Sequence, residues 1–306
     1  MNIYSAHSLH ALLSLITLSL LHFSFAPVAN GGDISILTPS PQGFTVSTGA
    51  SFAFPADLER ADPGDVSIAR YRARASYNFP SDPGEFLSLT GIFEHTDYDW
   101  SDAGLFGNTN RLSLSAIGLR QVGESRWGVF GLGQVSWAAE SGAPLRRGFS
   151  STWVFGPSYR ITRDLAVTVG GLVNTQPERG TRVIPVAGLN WRISEQWSLR
   201  TLNGALLTYA PDPRFQMNLF GEYRTRGIRL QRQLLPGGST SRPAVGEREI
   251  AVGFGAAWRA TENLTLRGSA EYLFAREWRF RADGSRFRTV EAESTPQVAL
   301  RLAYDF

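Results

Sequence analysis

The chain contains no cysteine and no lysine, and only four of its 306 residues are histidine. The absence of cysteine excludes disulfide scaffolds, zinc-thiolate sites and thiol catalysis. Because lysine is absent, all 30 basic residues are arginines, and they are dispersed among 27 acidic residues to give a net charge of +3. A nucleic-acid-binding protein would cluster its basic residues on one surface. We therefore expect no nucleic-acid partner, and the even distribution fits a polar interior better.

Long apolar runs are also absent, except for residues 11–26 near the N-terminus. This run has the length of a signal-peptide core and is slightly short for a spanning helix. Cleavage after Ala26 would place Pro27 beside the scissile bond, so we predict cleavage after Ala29. Residues 1–29 are then a signal peptide for export through the inner membrane, and residues 30–42 a short periplasmic segment. The segment before the run has no arginine or lysine, which leaves a retained N-terminal anchor as the alternative.

Alternation of apolar and polar residues recurs in segments of the chain from residue 43 to residue 306, and it is less regular over residues 111–121 and 197–235. Near its end, Val298, Leu300 and Leu302 occupy one row, while Ala299 and Arg301 occupy the other. Side chains repeat every two residues in a β-strand, so this pattern predicts strands with one apolar and one polar face. A second strand carries arginines at residues 70, 72 and 74, and these side chains must face water or other polar groups rather than lipid.

Connectors of alternating length separate the predicted strands. Short turns at residues 123–126, 162–164, 194–196 and 261–263 alternate with longer segments, among them residues 175–182 and 282–294. Short turns at one rim and long loops at the other are typical of outer-membrane barrels. The fold class is therefore all-β: a single antiparallel transmembrane β-barrel of about 12–14 strands. The lower number applies if residues 197–235, which Pro211 and Pro213 interrupt, form one hairpin fewer.

The tryptophans lie next to predicted turns and loops, and none lies in the middle of a predicted strand. Aromatic girdles at the two membrane interfaces require this arrangement. A soluble β-sandwich, the competing interpretation, would instead bury tryptophans in mid-strand. The predicted girdle comprises Trp127, Trp137, Trp153, Trp191, Trp197, Trp258 and Trp278.

Several segments together resemble an uncharacterised family of bacterial outer-membrane β-barrel proteins, a family without an assigned function. They are the expected signal peptide, the turns at residues 161–165 and 193–199, and the closing strand at residues 298–306. The resemblance implies a location in the bacterial outer membrane, with lipid and lipopolysaccharide as surroundings. It also implies that Tyr304 and Phe306 form the signal read by the barrel-assembly machinery. It brings no catalytic residue and no cofactor.

Enzymatic activity would require a base, and histidine is the base that outer-membrane enzymes use. Three of the four histidines lie in the predicted signal peptide, which leaves His95 beside Asp97. His95 shares its row with Leu89 and Phe93, which we assign to lipid, so we expect no catalytic site. A lipid-modifying or protease-like enzyme centred on His95 stays the alternative. No acidic cluster has a known metal-ligand spacing, and we expect neither a metal nor another cofactor.

Charged residues on the polar rows are the remaining indication of function. An arginine-lined interior would favour anions in a porin-like passive channel. Alternatively, Arg–Glu pairs would close the interior and make the protein a structural barrel. A soluble β protein that binds a ligand is a third interpretation. The candidates predicted to face the lumen are Arg70, Arg72, Arg74, Arg192, Arg200, Arg259, Arg267, Glu271 and Arg301.

Overall fold

The chain forms a single closed antiparallel β-barrel of 14 strands, which confirms the larger of the two expected counts. The structure is a computed structural model that describes residues 42–59, 64–80, 85–101, 104–178, 180–202, 204–231, 233–234, 240–241, 243–282 and 285–306. The predicted signal peptide lies outside these described residues. No helix within the described ranges is long and apolar enough to cross a membrane.

The barrel strands follow one another around the wall in chain order, and β17 pairs with β1 to close it. β12 and β13 form a separate small hairpin, and β16 pairs only with β15. One 3-10 helix, Leu145–Gly148, lies between β5 and β6. The strands are β1 (Gly43–Asp57), β2 (Asp65–Asn78), β3 (Phe86–Trp100), β4 (Thr109–Gln121), β5 (Trp127–Glu140), β6 (Phe149–Arg160), β7 (Leu165–Gln176), β8 (Gly180–Arg192), β9 (Trp197–Thr201), β10 (Ala205–Asp212), β11 (Phe215–Arg229), β12 (Gln233–Leu234), β13 (Thr240–Ser241), β14 (Ala244–Arg259), β15 (Leu264–Ala282), β16 (Ser285–Ala292) and β17 (Thr295–Asp305).

Two of the expected long loops are largely strand. β7 and β8 continue to within three residues of each other, so residues 175–182 form a hairpin with a short turn. Most of residues 282–294 form β16, which extends the wall as a hairpin with the end of β15. In both places the backbone groups pair in an antiparallel ladder.

The closing seam between β1 and β17 shows how alternation sorts side chains between the two faces. Thr48 lies opposite Leu302 and Ala50 opposite Leu300, in a row that points outward. Gly49 lies opposite Arg301 in the inward row. The outward row is extensively exposed, with 59% of Leu300 accessible. The wall therefore presents apolar side chains outside and polar side chains inside along this seam.

A β-bulge in β15 reverses this alternation. Ala275 adopts a positive φ of 47°, and the register between β14 and β15 shifts at the same level. Glu271 and Leu273 face inward before the bulge, and Arg276 and Trp278 face inward after it. An extra residue in one strand shifts every following side chain to the other face. The part of β15 that follows the bulge thus places an arginine and a tryptophan in the interior.

Two short strands leave the wall incomplete on the long-loop side. Of β8, only Leu189–Arg192 pair with β9. On the other side, β10 pairs with β11 only as far as Gly221. Beyond these residues, no described strand joins β8 to β11. The part of the β11–β14 hairpin on the long-loop side bends into the interior of the barrel instead. Arg229 at its end forms a bridge with Ala139 of β5. We call this segment the inward hairpin (residues 222–229 and 244–251).

The β7–β8 hairpin covers the outer face of the inward hairpin. Thr225 belongs to the row of the exposed Leu219, yet it is buried and accepts a hydrogen bond of 3.1 Å from Gln176 Nε2. Gly227 and Gly246 lie opposite each other in the hairpin. A Cβ atom on either would collide with the side chain of Glu178. Glycine at both positions thus leaves room for the Glu178 side chain between the two hairpins.

Candidate functional site: the arginine-rich interior

Buried ion pairs fill the interior on the long-loop side. Arg70 of β2 donates from Nη2 to Glu247 of β14 over 2.7 Å. Arg226 of the inward hairpin contacts both Glu247 and Glu249 at 3.2 Å. Tyr98 of β3 donates its hydroxyl to Glu247 over 3.2 Å. Glu247 and Glu249 are fully buried, and their partners come both from the neighbouring β11 and from the more distant β2.

Further pairs extend this network to the neighbouring strands. Arg224 contacts Glu222 beside it and Glu271 of β15, the latter at 2.7 Å. Glu94 of β3 pairs with Arg72 of β2. The network thus joins the inward hairpin to the walls formed by β2, β3 and β15. Its charges balance, with five arginines against five glutamates, namely Arg70, Arg72, Arg224, Arg226 and Arg276 with Glu94, Glu222, Glu247, Glu249 and Glu271.

An apolar cluster caps the network. Trp278 is completely buried, and its ring lies 5.3 Å from that of Trp100. Arg276 lies over the same Trp278 ring at 5.9 Å, within the distance of a cation–π interaction. Ile228 and Val245 of the inward hairpin pack into this cluster. The inward hairpin is therefore anchored by both ion pairs and apolar packing, and it fills the upper interior.

A cavity of about 220 Å³ lies in the interior beside this network. Small residues on β1, β14, β15 and β17, such as Gly49, Gly255 and Ala299, leave the space open. Its lining is strongly asymmetric in charge. Among the described residues that line it there are two glutamates, Glu222 and Glu271, and seven arginines: Arg70, Arg72, Arg74, Arg224, Arg226, Arg267 and Arg301.

A second part of the interior is apolar. Val154, Leu172 and Val186 on β6, β7 and β8 point inward and form a buried cluster with Ile117 and Phe130. The inner face of these strands therefore resembles a soluble protein core, whereas the inner face of β2, β14, β15 and β17 is polar. Alternation did not indicate this difference, because both rows of β5 are apolar or glycine over residues 128–133.

The predicted lumen-facing residues fall into three groups. Arg70, Arg72 and Glu271 belong to the ion-pair network. Arg74, Arg267 and Arg301 line the cavity without being part of that network. The remaining three lie elsewhere: Arg200 on the short β9, Arg259 at the end of β14, and Arg192 at the short-turn rim, where its side chain is 67% exposed and contacts Asp164.

The sequence interpretation missed the charged residues of the inward hairpin. Glu222, Arg224 and Arg226 alternate along β11, and Glu247 and Glu249 do the same along β14. Two runs of charged residues at alternate positions, on strands that pair with each other, were a usable signal. They lie next to Pro211, Pro213 and a long connector, and this irregularity concealed them.

The structure corrects one member of the predicted aromatic girdle. Trp127, Trp153, Trp197 and Trp258 are between 40% and 53% exposed on the outer face, and the outward Trp137 and Trp191 are partly buried. Trp278 is instead buried inside the barrel. The bulge at Ala275 is the reason, because it reverses the direction of every side chain that follows it in β15.

His95 lies on the outer face, opposite Tyr71 of β2. Its Nδ1 is 2.8 Å from Asn110 Oδ1, and its Nε2 is 2.8 Å from Asp97 Oδ1. Both nitrogens are thus engaged, and none of the contacts described for His95 involves a serine, threonine or tyrosine hydroxyl. The described residues contain no group of three His, Cys, Asp or Glu side chains that could hold a metal ion.

No protein-family model matches the chain, and no curated protein matches it in sequence. Solved structures do resemble it. The COG4313 outer membrane channel from Pseudomonas putida F1 is 10% identical, with a TM-score of 0.52 over 90% of this chain and 100% of that one. The translocator domain of the autotransporter NalP from Neisseria meningitidis is 10% identical, with a TM-score of 0.41 over 98% and 97%. The KdgM porin, in complex with oligogalacturonate, is 8% identical, with a TM-score of 0.38 over 85% and 99%. The first of these likenesses shows that the chain has the fold of an outer-membrane β-barrel.

Proposed function

We propose that this protein is a passive outer-membrane channel that prefers anions. The observation that carries the proposal is the cavity: four of its seven arginines belong to the charge-balanced network, and Arg74, Arg267 and Arg301 add positive charge beyond it. An excess of fixed positive charge inside a low-dielectric wall concentrates anions and repels cations. The fold shared with the P. putida channel supports a role in passage across the outer membrane.

The outer surface supports the same location. Apolar rows such as Phe52, Leu300 and Phe254 are exposed on adjacent parts of the wall, and outward tryptophans lie towards both rims. Such a surface matches a hydrocarbon layer bounded by two interfaces. Outer-membrane lipid and lipopolysaccharide are the proposed surroundings, and the barrel-assembly machinery is the proposed partner during insertion.

The inward hairpin determines what kind of channel we expect. It fills the interior on the long-loop side, whereas the cavity lies beside it. Ions must pass the ion-pair network, so the expected conductance is low compared with that of an open porin. No catalytic step is part of the proposal, because the one histidine of the described chain points outward and is engaged with Asn110 and Asp97.

Planar-bilayer recordings of the purified protein test the proposal. We expect small, discrete conductance steps. In a KCl gradient, we expect the reversal potential to lie closer to the equilibrium potential of chloride than to that of potassium. The double variant Arg267→Gln/Arg301→Gln should shift the reversal potential towards zero. Arg120→Gln, which removes an exposed outward arginine opposite Val129, should leave it unchanged.

A structural barrel is the second candidate, and the ion-pair network is the observation that favours it. If the ion pairs block the passage of ions permanently, folded protein will produce no conductance above that of the bilayer. That outcome, obtained with protein that shows heat-modifiable migration, would replace the channel by a structural role. A cation-selective conductance would equally contradict the proposal.

A further inference from the structure

We propose that the cavity is a binding site for a small organic monoanion, a carboxylate attached to a compact apolar body. The inference rests on the proposed anion-preferring channel and names the class of solute that would bind inside it. It is drawn from three features of the cavity: a cationic wall, an apolar wall, and the space between them.

The cationic wall is built from directly opposed arginines. Arg267 of β15 lies opposite Arg301 of β17, and both side chains line the cavity. Like charges at directly opposed positions destabilise a strand pair. An anion held between them converts this repulsion into two charge-assisted hydrogen bonds. A carboxylate has two oxygens and can accept one bond from each of the two arginines.

The two guanidinium groups are presented in different ways. Arg301 is fixed, because its Nε and Nη2 donate to Ser47 Oγ over 3.1 and 2.9 Å. Arg267 interacts electrostatically with Asp305, and this carboxylate also accepts a hydrogen bond from Thr45. The Nε of Arg267 is buried and has no hydrogen-bond partner among the described residues. A buried donor of this kind gains a full hydrogen bond when a ligand accepts from it.

The apolar wall lies on β10 and β11. Leu206 and Phe220 are cross-strand partners and both line the cavity. The Phe220 ring leans over β14, where a Cβ on Gly253 would come within 2.8 Å of it. Beside this wall, Gln216 and Asn218 offer amide groups. A ligand that is charged throughout would have to desolvate against Phe220, which disfavours inorganic anions and dicarboxylates.

The size of the space limits the ligand further. A volume of about 220 Å³ is below the usual range of about 300–1,000 Å³ for small-molecule sites. It accommodates a compact aromatic or branched monocarboxylate. Benzoate is therefore a suitable probe, with benzamide as a neutral molecule of nearly the same shape and inorganic phosphate as an anion without an apolar body.

Isothermal titration calorimetry of the protein in detergent tests the site without requiring transport. For the unaltered protein we expect benzoate to bind at least tenfold more tightly than benzamide or phosphate. Arg267→Gln should weaken benzoate binding at least tenfold, whereas Phe220→Ala should weaken benzoate without changing phosphate. Arg120→Gln should bind benzoate as the unaltered protein does.

Equal affinity for benzoate and benzamide in the unaltered protein would overturn the proposal without relying on any variant. Tighter binding of phosphate than of benzoate would also overturn it, since the apolar wall would then contribute nothing. Binding without bilayer conductance would support the site while rejecting the channel. Conductance without benzoate binding would do the reverse, so the two proposals fail separately.

Discussion

Arg70 and Glu247 form a 2.7 Å ion pair across the barrel, although three strands, β15, β17 and β1, separate β2 from β14 along the wall. Both side chains are almost completely buried. The pair exists because the inward hairpin carries Glu247 away from the wall and towards β2. It is the contact that most directly reports the inward position of that hairpin.

Loss of Glu247 should therefore be costly. Glu247→Gln removes one of the two carboxylates that Arg70 and Arg226 both contact, the other being that of Glu249. We expect a loss of about 3–5 kcal/mol in the free energy of unfolding, the usual cost of removing one member of a buried ion pair. Urea unfolding in lipid vesicles measures it. The outward Glu277→Gln, which removes pairs with Arg248 and Arg279, should cost clearly less because these groups keep partial access to water, and equal losses would contradict the inward hairpin.

The overlap of the two hairpins can be tested by crosslinking, because the chain contains no cysteine of its own. In the double variant Gln176→Cys/Thr225→Cys, a short bifunctional maleimide should join β7 to β11, since these two side chains are in contact. Mass spectrometry of a digest detects the link. Gln176→Cys/Leu219→Cys is the matched control and should not crosslink, because Leu219 lies lower on the exposed outer face. Similar yields from both variants would contradict the overlap.

The assignment of outer and inner faces can be tested at two adjacent residues. Leu300 points outward near the middle of β17, and Ala299 lines the cavity. Leu300→Arg should cost about 2–4 kcal/mol of folded stability, as expected for arginine facing the hydrocarbon. Ala299→Arg should fold better and should reduce conductance by occupying the cavity. Heat-modifiable yield in vesicles measures the first effect, and equal damage from both would mean that the faces are not lipid and water.

The burial of Trp278 predicts a large effect from a residue that the sequence placed in the girdle. Trp278→Ala removes a fully buried side chain from the upper cluster and should cost about 3–5 kcal/mol. Trp258→Ala, at an exposed girdle position, should cost clearly less. Unfolding in vesicles compares the two. A smaller effect at Trp278 than at Trp258 would argue that the bulge at Ala275 does not turn β15 as described.

His95 should be dispensable. His95→Ala removes contacts with Asn110 and Asp97 on the outer face and touches neither the network nor the cavity. Heat-modifiable folding and bilayer conductance should both be retained. A hydrolytic activity that is present in the unaltered protein and lost in this variant would favour the enzyme interpretation instead.

The alternation of residues determined the fold class and the direction of most side chains. A strand repeats every two residues, so the outward row of Leu300 and Leu302 and the inward row of Arg70, Arg72 and Arg74 follow from their positions alone. The regular turns determined the antiparallel order of the strands as well. These properties depend only on neighbouring residues, so they can be predicted from the sequence alone.

The tertiary structure decided what fills the interior. The one-residue bulge at Ala275 reverses the direction of the side chains that follow it in β15, and the periodicity of the sequence does not predict this bulge. β9 and β10 are too short to hold β8 and β11 together, so the charged hairpin turns inward and Glu247 reaches Arg70. Alternation says that a side chain points inward, but it cannot say which distant strand the side chain meets. The partners of the arginines, and the cavity beside them, depend on the curvature of the whole wall.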